Sequence, residues 1–354
     1  MHPTPPPRLS ALDRGLPLWI IAAMALGLAL GHFVPGIADI LNRWKIGEIS
    51  LPIALGLFVM MYPPLAKVRY DRVALILADR KLMALSIALN WILGPALMFA
   101  LAWIFIPDLP GYRTGLIIIG LARCIAMVLV WNDLACGDTD AAAILVAINS
   151  LFQILMFGVL GWFYLQILPS WLGLPTTSAE FSFWAIVVSV LVFLGIPFLL
   201  AIISRVVGEK MHGRSWYEQT FLPRISPLAL IGLLYTIALL FALQGQRIIA
   251  GPLAVGRVAL PLMAYFVVMF LLALGASKAS GLDYERSTTV AFTASGNNFE
   301  LAIAVSIGTF GAHSAEALAG TVGPLIEVPA LLGLVYLLRA LAPRLFSDAP
   351  STNR

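Results

Sequence analysis

Ten long apolar stretches, joined by short polar connections, make up most of this chain of 354 residues. A helix needs about 20 apolar residues to cross the hydrocarbon core of a membrane. The pattern therefore predicts an all-α polytopic membrane protein with ten transmembrane helices, and the short connections leave no room for a soluble domain. The predicted spans are Leu18–Pro35, Ile49–Leu65, Leu82–Ile106, Thr114–Leu134, Ala141–Leu168, Phe181–Ile203, Ile225–Leu243, Val258–Ser277, Ser287–Phe310 and Ala317–Leu338.

The composition excludes a soluble globule. Hydrophobic residues make up 60% of the chain and charged residues 11%, whereas soluble domains carry about a quarter charged residues. The net charge of +4 does not indicate nucleic-acid binding, because the basic residues are spread through short loops and form no stripe. Basic residues in short loops are typical of membrane proteins, in which they set the orientation of the helices.

The positions of Lys and Arg predict the orientation. With ten spans and an inner N-terminus, sixteen of the 22 basic residues fall in cytoplasmic segments and five in outer loops, and Arg123 lies within a span. This bias predicts that both termini are cytoplasmic. Residues 1–17 are proline-rich and lack a signal-peptide pattern, so they are predicted to be a disordered cytoplasmic tail, with a second tail at 343–354.

A weak internal repeat predicts two halves of opposite orientation, residues 18–168 and 181–342. Each half contains five spans, an odd number, so the second half enters the membrane from the other side, as in many secondary transporters. Chance similarity between apolar stretches is the alternative interpretation. At offsets of 174 to 175 residues, the aligned pairs are Leu51–Leu55 with Ser226–Leu230, Arg123-Cys124 with Asn297-Asn298, and Gln153 with Glu327.

Polar residues interrupt the fourth and ninth spans at equivalent places in the two halves. The fourth contains Gly120, Arg123 and Cys124, and the ninth contains the segment Ser295–Glu300. Glycine tolerates broken helical geometry, and amide side chains can satisfy the backbone groups that a break exposes. Corresponding interrupted spans indicate a transporter's binding site. The sequence therefore predicts two discontinuous helices that cross near the membrane midplane.

Cys124 is the candidate for the chemistry of this site because Arg123 is its neighbour. A lone cysteine in a membrane helix is usually a small packing residue. A guanidinium beside a thiol favours the thiolate, which binds soft metals and metalloids. Because Arg123 stays charged, it needs an ion-pair or hydrogen-bond partner, or a water-filled cavity, inside the bilayer. Cys136, at the polar end of the same span, is interpreted as incidental.

Glu300 and Glu327 are carboxylates placed well inside apolar spans. Either one neutralises Arg123 or exchanges protons, and the two roles are compatible. We favour Glu300 as the proton carrier because it shares a span with the predicted break. Other polar side chains within the spans either contact substrate or make ordinary interhelical hydrogen bonds. They are Asn90, Asn132, Asn149 and Gln153.

Three motifs resemble signatures of the Acr-type arsenite efflux permeases. They are Ala122–Asn132 followed by Gly137-Asp138, Thr293–Ile303, and Gly323–Pro329. The resemblance covers nearly the whole chain and points to the bile acid, sodium and arsenite transporter superfamily. It implies ten spans in two inverted halves with crossed discontinuous helices. It also implies export of trivalent arsenic, sometimes antimony, across the inner (plasma) membrane in exchange for protons, without an obligatory ATPase subunit.

The resemblance also implies roles for individual residues. The family's essential cysteine falls on Cys124, and its essential glutamate, which would carry protons, falls on Glu300. A thiolate can bind arsenic directly, and a single one keeps the binding reversible. The supporting substrate-binding positions fall on Arg123, Asn90, Asn149, Asn298 and Glu327.

Two other functions are compatible with the pattern. A sodium-coupled transporter of organic anions, such as bile acids, belongs to the same superfamily but has no use for an Arg-Cys pair. A membrane sensor would use the cysteine for regulation. No Walker motif, zincin motif or glycine-rich nucleotide loop occurs in the sequence, so neither a cofactor nor an enzymatic activity is expected.

Overall fold

The computed structural model describes residues 15–34, 36–37, 43–46, 49–68, 78–176, 183–311 and 314–347, and these are mostly helical. A two-residue antiparallel ladder pairs β1 (Lys45–Ile46) with β2 (Ile49–Ser50). The helices, in chain order, are α1 (Leu16–Phe33), α2 (Leu51–Ala66), α3 (Arg80–Phe105), α4 (Pro110–Leu121), α5 (Met127–Leu134), α6 (Thr139–Trp171), α7 (Phe183–His212), α8 (Leu222–Ala250), α9 (Pro252–Ala279), α10 (Tyr284–Ser295), α11 (Phe299–Phe310) and α12 (Ala315–Leu345).

These helices confirm the all-α polytopic membrane fold. In the described part of the chain, six are long and apolar enough to cross a membrane, and three shorter apolar helices accompany them. Helix α12 continues to Leu345, three residues into the segment predicted as the C-terminal tail. Residues 1–14 and 348–354 of the predicted tails, the basic residues Arg69 and Arg72, and the predicted start of the sixth span at Phe181 lie outside the described residues.

The fourth and ninth spans are broken at the predicted places. Helix α4 ends at Leu121, and α5 begins only at Met127. Helix α10 ends at Ser295, and α11 begins at Phe299, with Asn298 as its N-cap. Both breaks place extended backbone inside the protein, where side chains and neighbouring backbone can satisfy its polar groups.

Proline explains four irregular helical turns, three of them within α3, α6 and α7 and one directly before α8. A π-type turn occurs at Leu89–Leu93, Phe163–Ile167, Leu191–Gly195 and Tyr217–Phe221. Each ends two residues before a proline. Proline lacks the N–H donor of a helix and collides with the carbonyl one turn earlier, so a wider turn accommodates it. The turn at Leu89–Leu93 carries Asn90 into the protein interior.

The helices pack in two groups. Helices α1 and α2 both pack closely on α8, and the C-terminal part of α7 packs on α2. The broken helices belong to the second group, in which α9 packs on α10 and α12, and α4 packs on α3 and α12. Met60 and Met61 of α2 line a small pocket together with residues of both breaks, so α2 faces the broken helices across this pocket.

Close backbone contact joins α1 to α8. Gly27 and Gly31, one turn apart, lie directly against the carbonyl oxygens of Ala238 and Ala242, where any side chain would collide. Pairs of small residues spaced by four positions favour close helix packing in membranes. Outside the apolar segments, Arg257 forms an ion pair with Asp108. The hydrogen bond from Arg257 holds the pKa of Asp108 below its ordinary value.

Candidate transport site at the helix crossing

The two breaks meet and form a short antiparallel bridge between Arg123 and Asn297. The backbone N–H of Cys124 donates to the carbonyl of Gly296 at 3.3 Å, and the N–H of Asn298 donates to the carbonyl of Ala122 at 3.1 Å. These bonds satisfy backbone groups that neither broken helix can satisfy by itself. The crossing therefore brings the two polar segments predicted from the sequence into direct contact.

Two side chains from other helices complete the backbone bonding at the crossing. The side-chain oxygen of Gln153, on α6, accepts from Arg123 N–H at 2.9 Å, and its amide nitrogen donates to the Arg123 carbonyl at 3.1 Å. On the other segment, Glu327 Oε1, from α12, accepts from Asn297 N–H at 3.3 Å. Gln153 and Glu327 are both buried. Each break is thus held by one long polar side chain.

The guanidinium of Arg123 points away from Cys124. Its Nη1 donates to the Tyr265 hydroxyl at 2.9 Å and to the Ala294 carbonyl at 3.1 Å, and its Nη2 donates to the Gly120 carbonyl. Arg123 is fully buried. Among the residues that the structure describes, it forms no ion pair with a carboxylate. These bonds tie the ends of α4 and α10 to α9. Arg123 therefore supports the crossing by binding exposed helix-end carbonyls.

The sulfur of Cys124 lies at the N-terminal end of α5. Its Sγ accepts a hydrogen bond from Val128 N–H at 3.3 Å. Gly296 packs against the cysteine so closely that an added Cβ would lie 3.0 Å from Cys124 Cβ. A helix N-terminus presents partial positive charge and free N–H groups, which favour negative charge on a nearby sulfur. The backbone at the start of α5, and not the guanidinium next in sequence, is hydrogen-bonded to this sulfur.

Cys124 shares a small pocket with two other predicted site residues, Asn298 and Glu300. Asn298 caps α11, since its side-chain oxygen accepts from Leu301 N–H at 2.9 Å. Glu300 lies in the first turn of α11 and is partly exposed, whereas Glu327 is buried and bonded to the crossing. The remaining walls are mostly apolar and are formed by Met60, Met61, Ile125, Ala126, Met127 and Leu233.

A second, wider pocket adjoins this one. Ala126, Met127 and Leu233 line both pockets, so they form the boundary between them. The outer pocket ends at polar residues, among them Lys67, Asp133 and Ser226. Lys67 belongs to the segments predicted to be cytoplasmic. We call this outer pocket, bounded by Lys67, Asp133, Ser226 and Leu233, the vestibule.

The structure places the other predicted site residues apart from the Cys124 pocket. Asn149 accepts from the Trp91 ring nitrogen at 3.0 Å and donates to Asn90 at 3.4 Å, and Asn90 donates to the Ser86 carbonyl at 2.9 Å. This cluster joins α3 to α6 and contributes no wall to the Cys124 pocket.

Sequence reasoning missed Tyr265 and the methionines of α2. Tyr265 is fully buried, and its hydroxyl is a partner of Arg123. The sequence could have indicated Tyr265, because it lies in the middle of an apolar span and a buried tyrosine hydroxyl usually has a hydrogen-bond partner. Met60 and Met61 carried no signal, since methionine in an apolar span is ordinary packing.

Two broken membrane helices that cross and hold polar side chains at the crossing define a class of protein, the secondary transporters. Residues 54–251 match the Sodium Bile acid symporter family. The chain belongs to this family.

Relatives within the family carry more specific names. The chain is 66% identical over 346 residues to "Arsenical-resistance protein Acr3" of Corynebacterium glutamicum, covering 98% of this chain and 94% of the relative. It is 31% identical over 333 residues to a protein of the same name from Alkaliphilus metalliredigens, covering 91% of each chain. An uncharacterised transporter of Synechocystis sp. is 34% identical over 353 residues, covering 94% of this chain and 90% of that protein. The predicted resemblance to Acr-type permeases is confirmed.

Proposed function

We propose that this protein is a secondary transporter that exports trivalent arsenic as arsenite from the cytoplasm, in exchange for protons, and so confers arsenic resistance. The observation that carries the proposal is a single thiol, Cys124, in a pocket shared with Asn298 and Glu300 where two broken helices cross. The names of the two arsenical-resistance relatives support the same substrate.

The chemistry of the pocket suits arsenite. Arsenite is a neutral weak acid at pH 7 with a soft, thiol-seeking centre, so a thiolate bonds to arsenic in preference to hard ligands. The Asn298 side chain and the Glu300 carboxylate, on the opposite broken helix, line the same pocket as Cys124 and bind the arsenic hydroxyl groups in this proposal. One thiolate keeps the binding reversible, as transport requires. Antimonite has the same chemistry and is a second substrate on this basis.

Glu300 is the group that exchanges protons in this proposal. It is partly exposed to the pocket, and it shares that pocket with the thiol. Glu327 instead accepts a backbone N–H at the crossing and lines no part of the Cys124 pocket, so it is assigned a structural role. In the inward-facing state the thiolate displaces one hydroxide of arsenite, which leaves as water with the proton of Glu300. In the outward-facing state water cleaves the arsenic–sulfur bond, so that arsenite leaves and Cys124 keeps a proton, and Glu300 takes up a proton from outside. The thiol then gives its proton to the cytoplasm, which restores the thiolate.

The repeat proposed from the sequence has support at the crossing. Gln153 accepts the N–H of Arg123, and Glu327 accepts the N–H of Asn297. Both residues of the second pair lie 174 positions after those of the first. Equivalent contacts at one offset support two five-span halves, 18–168 and 181–342, inserted in opposite directions. The vestibule then faces the cytoplasm, with both termini on the same side of the inner membrane.

Ion coupling separates this function from sodium-coupled transport of organic anions. Everted membrane vesicles that contain the protein should accumulate arsenite without sodium when the vesicle lumen is more acidic than the medium. The Glu300→Gln variant should lose accumulation driven by the pH gradient, because its amide cannot exchange a proton.

Accumulation that requires a sodium gradient, or sodium-driven uptake of a bile acid in place of arsenite, would favour the organic-anion function. The Asp108→Asn variant serves as a matched control, since Asp108 is a carboxylate in an exposed ion pair away from the crossing.

A further inference from the structure

The C-terminal end of α2 contributes to both pockets on the proposed route of arsenic. Met60 and Met61 line the Cys124 pocket, and Lys67, just beyond the end of the helix, lines the vestibule. The helix ends at Ala66, and its last turn contains two prolines. The last carbonyls of a helix have no partner within that helix, so they need donors from elsewhere. The position of this end therefore depends on the groups that bind its carbonyls.

Arg205, on α7, binds these carbonyls. Its Nη2 donates to the carbonyl of Ala66 at 3.2 Å and to the carbonyl of Lys67 at 3.3 Å. A cation at the C-terminal end of a helix also interacts favourably with the partial negative charge there. Arg205 is only 4% exposed, so these bonds lie inside the protein. One buried guanidinium thus fixes the end of α2 on α7.

Tyr217 binds the same end of α2. Its hydroxyl donates to the Ala66 carbonyl at 3.4 Å, and its ring centroid lies 4.8 Å from the guanidinium carbon of Arg205, within the range of a cation–π contact. Gly208 on α7 makes room for the ring, because an added Cβ would lie 2.7 Å from Tyr217 Cδ2. The guanidinium and the aromatic ring therefore hold the end of α2 together.

Two carboxylates hold the guanidinium in place. Nη1 of Arg205 binds Glu209 at 2.6 Å and lies 3.8 Å from Glu218. A buried charge is tolerated when it is paired and its hydrogen bonds are satisfied. Nη1 thus serves the carboxylates, and Nη2 serves the carbonyls of α2. Arg214 pairs with Glu218 at 3.0 Å, and its side chain is 43% exposed at the outer edge of this network.

We infer that Arg205 is a positioning residue for transport. By binding the carbonyls at the end of α2, it holds the walls that this helix gives to the vestibule and to the Cys124 pocket. Arg205 lines neither pocket, so it acts through α2 and not by touching arsenite. The inference rests on the proposed function, because it takes the two pockets as the route of the substrate.

The concentration dependence of arsenite accumulation in everted vesicles separates positioning from folding. Arg205→Gln removes the charge and the paired donors, so KM should rise severalfold while kcat per folded molecule stays close to that of the wild type. A loss of folded protein would instead lower the maximal rate without a change in KM. Arg205→Lys keeps the charge beside Glu209, but one ammonium cannot reach the carboxylate and both carbonyls. Its KM should therefore rise by a smaller factor.

Arg214→Gln is the matched control for these variants. It removes a cation from the same network but leaves the bonds of Arg205 to α2, so its KM should equal that of the wild type. A wild-type KM in Arg205→Gln and Arg205→Lys would overturn the inference, as would an equal rise of KM in Arg214→Gln.

Access to Cys124 provides a second measurement that does not depend on arsenite. In a Cys136→Ser background, a membrane-impermeant methanethiosulfonate reagent should modify Cys124 severalfold faster in Arg205→Gln than in the parent protein. The released end of α2 no longer holds the pocket closed, whereas Arg214→Gln should match the parent. An unchanged modification rate in Arg205→Gln would overturn the inference. A wild-type protein that accumulates no arsenite would overturn the proposed function, and the modification rates would still test the hold of Arg205 on α2.

Discussion

At the scale of single residues, neighbours in sequence have separate functions at the crossing. Arg123 and Cys124 are adjacent, yet the guanidinium binds Tyr265 and helix-end carbonyls while the sulfur faces the pocket with Asn298 and Glu300. Extended backbone at the break explains this, because successive side chains of extended backbone point in opposite directions. A continuous helix would have left both side chains closer to one face.

Replacement of Cys124 by serine should abolish arsenite accumulation in everted vesicles. A serine hydroxyl is a hard, neutral ligand that does not replace a thiolate on arsenic. The protein should remain folded, because serine is close to cysteine in size and can still accept the bond from Val128 N–H. Cys136→Ser is the matched control and should transport normally, since that residue lies outside the Cys124 pocket. Retained accumulation by Cys124→Ser would remove the thiol from the mechanism.

At the scale of helices, polar interruptions predicted the breaks, but not how each break is stabilised. The runs around Arg123 and around Asn297 are visible in the sequence because polar and charged side chains are expensive in an apolar span. The partners come from distant helices, Gln153 on α6 and Glu327 on α12. Which long polar side chain meets which break depends on three-dimensional packing. The π-type turns were equally hidden, because proline alone does not reveal how a helix accommodates it.

Gln153→Leu should destabilise the protein without touching the Cys124 pocket. The substitution leaves the buried N–H and C=O of Arg123 without their side-chain partner, and each unsatisfied buried group costs about 1–3 kcal/mol. Denaturant unfolding of the purified protein, followed by tryptophan fluorescence, measures the loss. Gln153→Glu is the informative comparison, because it keeps the acceptor for Arg123 N–H and reproduces the arrangement of Glu327 on Asn297. It should be more stable than Gln153→Leu, and equal stability of Gln153→Leu and the wild type would contradict the role.

At the scale of the whole molecule, one group of helices carries the crossing and the other closes the pocket. The broken helices provide Cys124, Asn298 and Glu300, whereas α2 and α8 provide Met60, Met61 and Leu233. The site therefore lies at the contact between the two groups, where a relative movement would open or close it. Composition and periodicity predicted the helices themselves, but the walls of α2 and α8 are apolar and carried no sequence signal. Apolar side chains that close a pocket look like any other lipid-facing or core residue.

Leu233→Trp should block access from the vestibule to Cys124. Leu233 is 5% exposed and lines both pockets, so an indole at this position fills the boundary between them. In a Cys136→Ser background, a membrane-impermeant methanethiosulfonate reagent added to everted vesicles reports access from the predicted cytoplasmic side. Modification of Cys124 and accumulation of arsenite should both slow strongly in Leu233→Trp. Ile231→Trp is the control on the same helix, because Ile231 is 57% exposed and lines neither pocket. Its rates should match the parent protein, and an equal modification rate in Leu233→Trp would mean that substrate reaches Cys124 by another route.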